Sequence, residues 1–329
     1  MTAAADRIAV VGAGAWGTAL ANAVATDKRE VFLIARDPSH AREMRDTREN
    51  RRRLPGVALA NAITPTAELS AVADARLVIL ATPAQTIRAM TSALAPLMRP
   101  DAPILSCAKG IERETGLFPT EILGAAMASP VGVLSGPSFA ADVARGLPTA
   151  IVLACADGAC ARALSEELSS RALRLYHGDD VRGVEIGGAA KNVLAIGAGV
   201  VAGRGLGESA RAALVARGFA ELQRFAAAFG GRPETLGGLS GLGDLVLSCC
   251  STKSRNFSFG EALGRGQSAG EAARGGLAEG AFTADILVRL AAGRGVDLPI
   301  SSAVAALVSG RMTVDEAVAA LMARPLRAE

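Results

Sequence analysis

The stretch Ile8-Ala9-Val10-Val11-Gly12-Ala13-Gly14-Ala15-Trp16-Gly17-Thr18-Ala19-Leu20 decides the fold. An unbroken apolar run, Ile8 to Val11, reads as a strand buried on both faces. It passes directly into Gly-x-Gly-x-x-Gly and then into a helix-compatible segment, Thr18 to Ala25. In that setting Gly12 permits a tight turn, Gly14 lets backbone approach a pyrophosphate, and Gly17 allows strand and helix to pack closely. The helix N-terminus adds unpaired N–H groups and the positive end of its dipole. The pattern predicts a dinucleotide site at the first crossover of a parallel sheet.

Working outward, apolar runs recur at Val31–Ile34, Leu77–Ala81, Ile104–Ser106, Val131–Leu134 and Ala150–Leu153, separated by helix-compatible stretches. This predicts a Rossmann-like, doubly wound parallel sheet as a dinucleotide-binding domain over residues 1–180. From Val181 onward no strand pattern occurs, while Leu214, Val215, Phe219, Leu222, Phe225, Ala226 and Phe229 keep helical spacing. Gly230-Gly231 can end that helix, Pro233 can open the next, and Thr313 with Glu316 has the form of a capping box. The expected fold class is α/β, an N-terminal sheet domain plus a C-terminal all-α, substrate-binding domain over 181–329.

At 329 residues the chain is long enough for two cores. With 35 basic and 32 acidic side chains, the net +3 excludes a nucleic-acid binder that relies on neutralising many phosphates. Five cysteines without CxxC pairing and two histidines give no metal-ligand spacing and fit a reducing, cytoplasmic setting. Asp6 and Arg7 precede the first strand and leave no room for a signal peptide. Val181 to Ala202 is apolar, yet Arg182, Glu185, Lys191 and Asn192 would each be costly in lipid, so a buried helix is expected instead of a membrane span. A homodimer is the default assembly.

Only four of the basic residues are lysines, Lys28, Lys109, Lys191 and Lys253. A chain that uses arginine for ordinary charge retains lysine where the ammonium must lose a proton, which guanidinium does not do. Lys191 stands mid-helix with Gly187, Gly188, Leu194 and Ala195 on its face, a small-residue surface that a flat ring could approach. Lys109 follows the strand Ile104–Ser106 at the carboxyl edge where open α/β sheets bind ligands. Gly136-Pro137-Ser138-Phe139-Ala140 follows the next strand and offers N–H groups and a hydroxyl to an anion. Asp244 follows a glycine-rich loop, and Ser254-Arg255-Asn256 places hydroxyl, guanidinium and amide together. Arg255 could take a phosphate bidentately, while Asp244 and Ser254 could equally be helix caps. At the end of the second strand Arg36 stands where NAD-selective sites carry an acid, which points to a 2′-phosphate and so to NADP, or to use of both NADP and NAD. Asp37 beside it could take the ribose, and Arg51 to Arg53 could assist.

Taken in order, these pieces resemble the bacterial-type NAD(P)-dependent glycerol-3-phosphate dehydrogenase family over nearly the whole chain. The resemblance rests on Val11 to Leu20, Leu54-Pro55-Gly56, Ala108-Lys109-Gly110, Gly136 to Ala140, Lys191-Asn192, Gly241-Leu242-Gly243-Asp244-Leu245, Ser254-Arg255-Asn256 and Ala278-Glu279-Gly280. It implies reduction of dihydroxyacetone phosphate to sn-glycerol 3-phosphate, with Gly12, Gly14, Ala15, Trp16, Gly17, Arg36, Ala140, Leu277 and Glu279 on the cofactor. Lys109 would touch both ligands, and Arg255 the cofactor as well as the substrate. Lys191 would be the proton acceptor for the C2 hydroxyl. Gly136, Ser138, Asp244, Ser254, Arg255 and Asn256 would hold the triose phosphate. Two positions depart from the family pattern: Ala15 replaces a serine, and Leu277 stands where a β-branched residue is usual.

Overall fold

The computed structural model describes residues 6–276 and 278–325. Its first compact unit comprises the described residues up to Ala108 together with Leu117–Val184, and its second comprises Lys109–Gly116 together with the residues from Glu185 onward. A single cut between 180 and 181 therefore misses one feature: the segment after the strand Ile104–Ser106 is grouped with the helical unit.

The first unit is built on strands β1 (Asp6–Val11), β2 (Arg29–Ile34), β3 (Ile63–Thr66), β4 (Leu77–Leu80), β5 (Ile104–Ser106), β6 (Val131–Ser135), β7 (Thr149–Cys155) and β8 (Leu173–Gly178). They form one sheet in the order β3-β2-β1-β4-β5-β6-β7-β8, which reverses between β1 and β4. Helices α1 (Ala15–Val24), α2 (Pro38–Thr47), α3 (Ile87–Leu94), α4 (Pro119–Ala126), α5 (Ala140–Ala144) and α6 (Gly158–Leu168) connect them. Successive residues of β1 point to opposite faces, and both faces are covered. Ile8 and Val10 join a core with Leu20, Met44 and Leu164 of α1, α2 and α6, whereas Ala9 and Val11 join one with Ile87, Leu94 and Leu123 of α3 and α4. This is why β1 reads as a continuous apolar run.

The expectation of an all-parallel sheet is corrected at one pair, since β7 runs antiparallel to β6. The connection leaving β6 packs Ala140, Val143 and Ala144 of α5 against Ala15, Trp16, Ala19 and Ala23 of α1. It then returns to the sheet from the carboxyl edge, so no crossover is made. The strands absent from the sequence pattern, β3 and β8, are the two sheet edges. There β3 tolerates Pro65, and β8 alternates buried and exposed residues at its start. Helix α1 begins at Ala15 instead of Thr18, with Gly14 as its N-cap.

The second unit takes up most of α7 (Val181–Arg204), followed by α8 (Glu208–Ala228), α9 (Pro233–Gly237), α10 (Asp244–Cys249), α11 (Arg255–Gly264), α12 (Ala269–Ala272), α13 (Glu279–Gly293), α14 (Pro299–Val308) and α15 (Val314–Met322). Pro233 opens α9, and Thr313 with Glu316 forms the capping box of α15. No strand follows β8 among the described residues. Helix α7 alone among them is long and apolar enough to cross a membrane, and 89% of its most apolar window is buried within the protein. Its burial comes from backbone contact. Side chains at Gly199 and Gly203 would overlap the carbonyls of Phe257 and Glu261, and side chains at Gly260 and Gly264 would overlap those of Ile196 and Val200. Glycines four apart on both α7 and α11 thus let the two helices touch main chain to main chain.

Gly260→Ala is expected to destabilise the protein by about 3 kcal/mol, because the helices must separate to admit a methyl group. Gly124→Ala in α4, where a methyl would meet nothing within 4 Å, should be neutral or slightly stabilising. Urea midpoints measure both, and an unchanged midpoint for Gly260→Ala would refute the packing argument.

Candidate active site

In the first unit, Gly12 turns the chain after β1 with a φ of +111°, and a Cβ there would lie 2.7 Å from the Ala81 carbonyl oxygen. A side chain on Gly17 would overlap the Gly12 carbonyl. Gly14 is different: it caps α1 without a side-chain hydrogen bond, and a Cβ on it would meet no protein atom within 4 Å. The protein's own packing therefore does not require glycine at 14, whereas close approach of a ligand to the backbone does. Beside this loop, the buried Trp16 Nε1 and Thr82 Oγ1 have no hydrogen-bond partner. An uncapped helix start, an open face at Gly14 and two unsatisfied polar atoms fit a bound dinucleotide.

Arg36, just beyond β2, is exposed and makes no hydrogen bond or ion pair among the described residues. Asp37 is not the free neighbour that the sequence suggests. It caps α2 by accepting from the backbone N–H and hydroxyl of Ser39, both at 2.9 Å, and it pairs with Arg52 at 2.9 Å. Hydrogen bonds from Ser39, with Arg52 adding to them, hold its carboxyl below the usual carboxylate range. Gly136 and Ser138 follow β6, where the Ser138 hydroxyl donates to the Gly136 carbonyl at 3.1 Å, and Ala140 opens α5.

In the second unit, Lys109, Lys191 and Asp244 converge. Lys109 Nζ donates to Asp244 Oδ2 at 2.6 Å, and Lys191 Nζ donates to Asp244 Oδ1 at 2.9 Å. Gly187 makes this possible, since a Cβ there would sit 2.6 Å from the Ser240 carbonyl oxygen. At Gly187, then, the small face of α7 receives protein backbone. The turn it admits, Leu239–Gly243, is wound as a π-helix and leads straight into Asp244. Burial alone would raise the Asp244 carboxyl, but the ammoniums of Lys109 and Lys191 reverse this and hold it below its ordinary range. Burial pushes Lys191 below the usual lysine range; Asp244 opposes the shift and Lys109 adds to it.

A further member of the cluster is Ser248, one helical turn after Asp244 and buried. Its hydroxyl accepts from Lys191 Nζ at 2.7 Å and lies 3.4 Å from Asp244 Oδ1. Sequence reasoning passed over it, although a hydroxyl four residues after a candidate carboxylate shares its helix face. Two N–H bonds of Lys191 are thereby used among the described residues, in a nearly dry setting.

Asn192 donates to the Lys109 carbonyl at 3.0 Å and accepts from Asn256 Nδ2 at 2.8 Å, and the Gly280 N–H donates to Asn256 Oδ1 at 2.9 Å. Ser254 caps α11 by accepting from the Phe257 N–H, whereas Asp244 gives its carboxylate to lysines and caps nothing. Arg255 is exposed and has no partner among the described residues. Glu279 opens α13, and Leu277 lies outside the described residues.

Residues 7–161 match the family model for the NAD-dependent glycerol-3-phosphate dehydrogenase N-terminus, and residues 180–319 match that for its C-terminus. The chain belongs to this family. Among its relatives, proteins named glycerol-3-phosphate dehydrogenase [NAD(P)+] from Azorhizobium caulinodans and Methylobacterium radiotolerans are 61% and 59% identical, each over 98% of both chains. The crystal structure of glycerol-3-phosphate dehydrogenase from Coxiella burnetii aligns with a TM-score of 0.92 at 35% identity, covering 97% of this chain and 99% of that one.

Asp244→Asn leaves two ammoniums without their counter-charge and should cost about 3–5 kcal/mol. Asp244 binds its proton less readily folded than unfolded. Its contribution is therefore complete above the ordinary carboxylate range and is lost as pH falls through the lower folded value. Urea titrations between about pH 3 and pH 7 should show a shallower acid limb for the variant; identical limbs would count against the charge assignment.

Proposed function

We propose that this chain is an NAD(P)-dependent glycerol-3-phosphate dehydrogenase, interconverting dihydroxyacetone phosphate and sn-glycerol 3-phosphate for phospholipid synthesis. Family membership supports the substrate class. The observation that carries the mechanism is the buried Lys191 ammonium, held by Asp244 and Ser248 with one N–H left over among the described residues. When bound, the nicotinamide supplies or takes the hydride. Lys191 meets the charge that develops on the C2 oxygen and donates a proton to it; in the oxidative direction it accepts that proton as the neutral amine, a form its burial favours. Lys109 orients the same oxygen, Asp244 fixes both lysines, and Asn192, whose amide is spent on the Lys109 and Gly188 carbonyls and on Asn256, holds the backbone of Lys109 instead of the substrate. Within the second unit, Ser254, Arg255 and Asn256 are the groups suited to the triose phosphate. Arg255, exposed and unpaired among the described residues, is the group suited to the phosphate dianion.

In this reading the first unit binds the dinucleotide through Gly12, Gly14, Ala15, Trp16, Gly17, Arg36 and Ala140. An unpaired Arg36 favours NADP, or NADP together with NAD, because Asp37 is engaged elsewhere. Five free cysteines support a cytoplasmic setting, and a homodimer is the proposed assembly.

Absorbance assays of dihydroxyacetone phosphate with NADPH and, separately, with NADH test the activity; no consumption of either would overturn it. Lys191→Met should lower kcat by roughly 10²–10⁴ with little change in cofactor affinity. Wild-type oxidation of glycerol 3-phosphate should rise with pH to a midpoint below the ordinary lysine value of about 10.5. Arg255→Ala should weaken dihydroxyacetone phosphate far more than unphosphorylated dihydroxyacetone, and equal losses on the two would refute the phosphate role.

A further inference from the structure

Asn50 is fully buried in the segment after α2, far along the chain from the glycine loop. Its carboxamide is saturated. Nδ2 donates to the Ala13 carbonyl at 3.1 Å and to Thr18 Oγ1 at 2.7 Å, while Oδ1 accepts from the Arg53 N–H at 3.2 Å and lies 2.8 Å from His40 Nε2. A backbone donor on one side and a backbone acceptor on the other leave one orientation for the amide, which makes His40 Nε2 a donor. Thr18 completes the set, since its hydroxyl donates to the Gly14 carbonyl at 2.8 Å and its N–H donates to the same oxygen at 3.0 Å.

In a trans peptide the carbonyl and the following N–H point in opposite directions, and every described peptide bond is trans. Drawing the Ala13 carbonyl inward to buried Asn50 therefore turns the Gly14 N–H outward. Drawing the Gly14 carbonyl to Thr18 likewise turns the Ala15 N–H outward. These two N–H groups belong to the uncapped start of α1, on the side where Gly14 leaves open space. Without Asn50 the Ala13–Gly14 peptide could rotate, and without the Thr18 hydroxyl the Asn50 amide loses a partner that fixes it, so the anion-facing donors would have to be ordered when a ligand arrives.

We infer that Asn50, acting through Thr18 and the Ala13 carbonyl, is a positioning residue that presets the peptide planes of the dinucleotide loop and so sets cofactor affinity. The inference rests on the reading of Gly12–Gly17 as the pyrophosphate cradle. Because Oδ1 also accepts from Arg53, the same amide ties the loop to the arginine-rich segment whose Arg52 holds Asp37 beside Arg36.

The test is direct binding of NADPH and NADH to purified variants, followed by the fluorescence of the reduced nicotinamide. Thr18→Val keeps the shape and removes the hydroxyl; it should raise Kd for both nucleotides about tenfold, with KM for dihydroxyacetone phosphate changed by less than about twofold. Thr18→Ser restores the hydroxyl and should return Kd to within about twofold of wild type. A merely structural role would not separate Kd from KM in this way or be rescued by serine. Asn50→Ala should lose more affinity still; if it does not fold, the Thr18 pair decides. Unchanged Kd in Thr18→Val, or equal loss in Thr18→Ser, overturns the inference. Wild-type protein that binds neither nucleotide would instead overturn the cradle reading beneath it.

Discussion

One carboxylate between two ammoniums governs the helical unit. Asp244 is buried and within 3 Å of both Lys109 and Lys191. Such a triplet in a poorly solvated place is tolerable only if the geometry is tightly held. The holding is done by main chain. Gly187 admits the π-turn that delivers Asp244, and the glycines of α7 and α11 bring their helices into backbone contact. In the reading proposed above, an oxygen that gains negative charge during hydride transfer is better matched to the Lys191 ammonium than is the neutral carbonyl it came from. That difference between ground state and transition state is what accelerates a reaction.

The same logic explains why lysine appears here in an arginine-rich chain. Guanidinium would hold the charge but could not release a proton. Lysine under burial can do so: burial pushes Lys191 below the usual lysine range and Asp244 opposes the shift. In the proposed reading arginine does the opposite work at Arg36 and Arg255, exposed guanidinium groups without a partner among the described residues, which suit phosphates that need permanent charge and no proton transfer.

The parts of this arrangement differ in how legible they are. The strand-glycine-helix opening was readable because its elements are contiguous, and Lys191 stood out because lysine is scarce. Both the edge strands and the reversal of β7 were hidden: the former lack a continuous apolar run, and the latter depends on where α5 docks on α1. Gly187 announced a steric need without saying whether backbone or ligand filled it. Asn50 gave no signal at all, since an asparagine after a helix looks like an ordinary loop residue until its four partners are seen together.

A common principle links Asn50 and Asp244. Each is a buried polar group bonded by protein, and in the readings proposed above each orients donors, peptide N–H groups in one case and an ammonium in the other, toward a place where negative charge is to arrive. Water could satisfy such donors in the absence of ligand, but it would have to reorganise as charge moves. Fixed amides and a fixed ammonium do not, and preorganisation of this kind is the largest contribution that a protein makes to reactions of charged substrates. The fold's investment in close backbone approach, glycine against carbonyl in both units, is the structural means by which these dipoles are kept still.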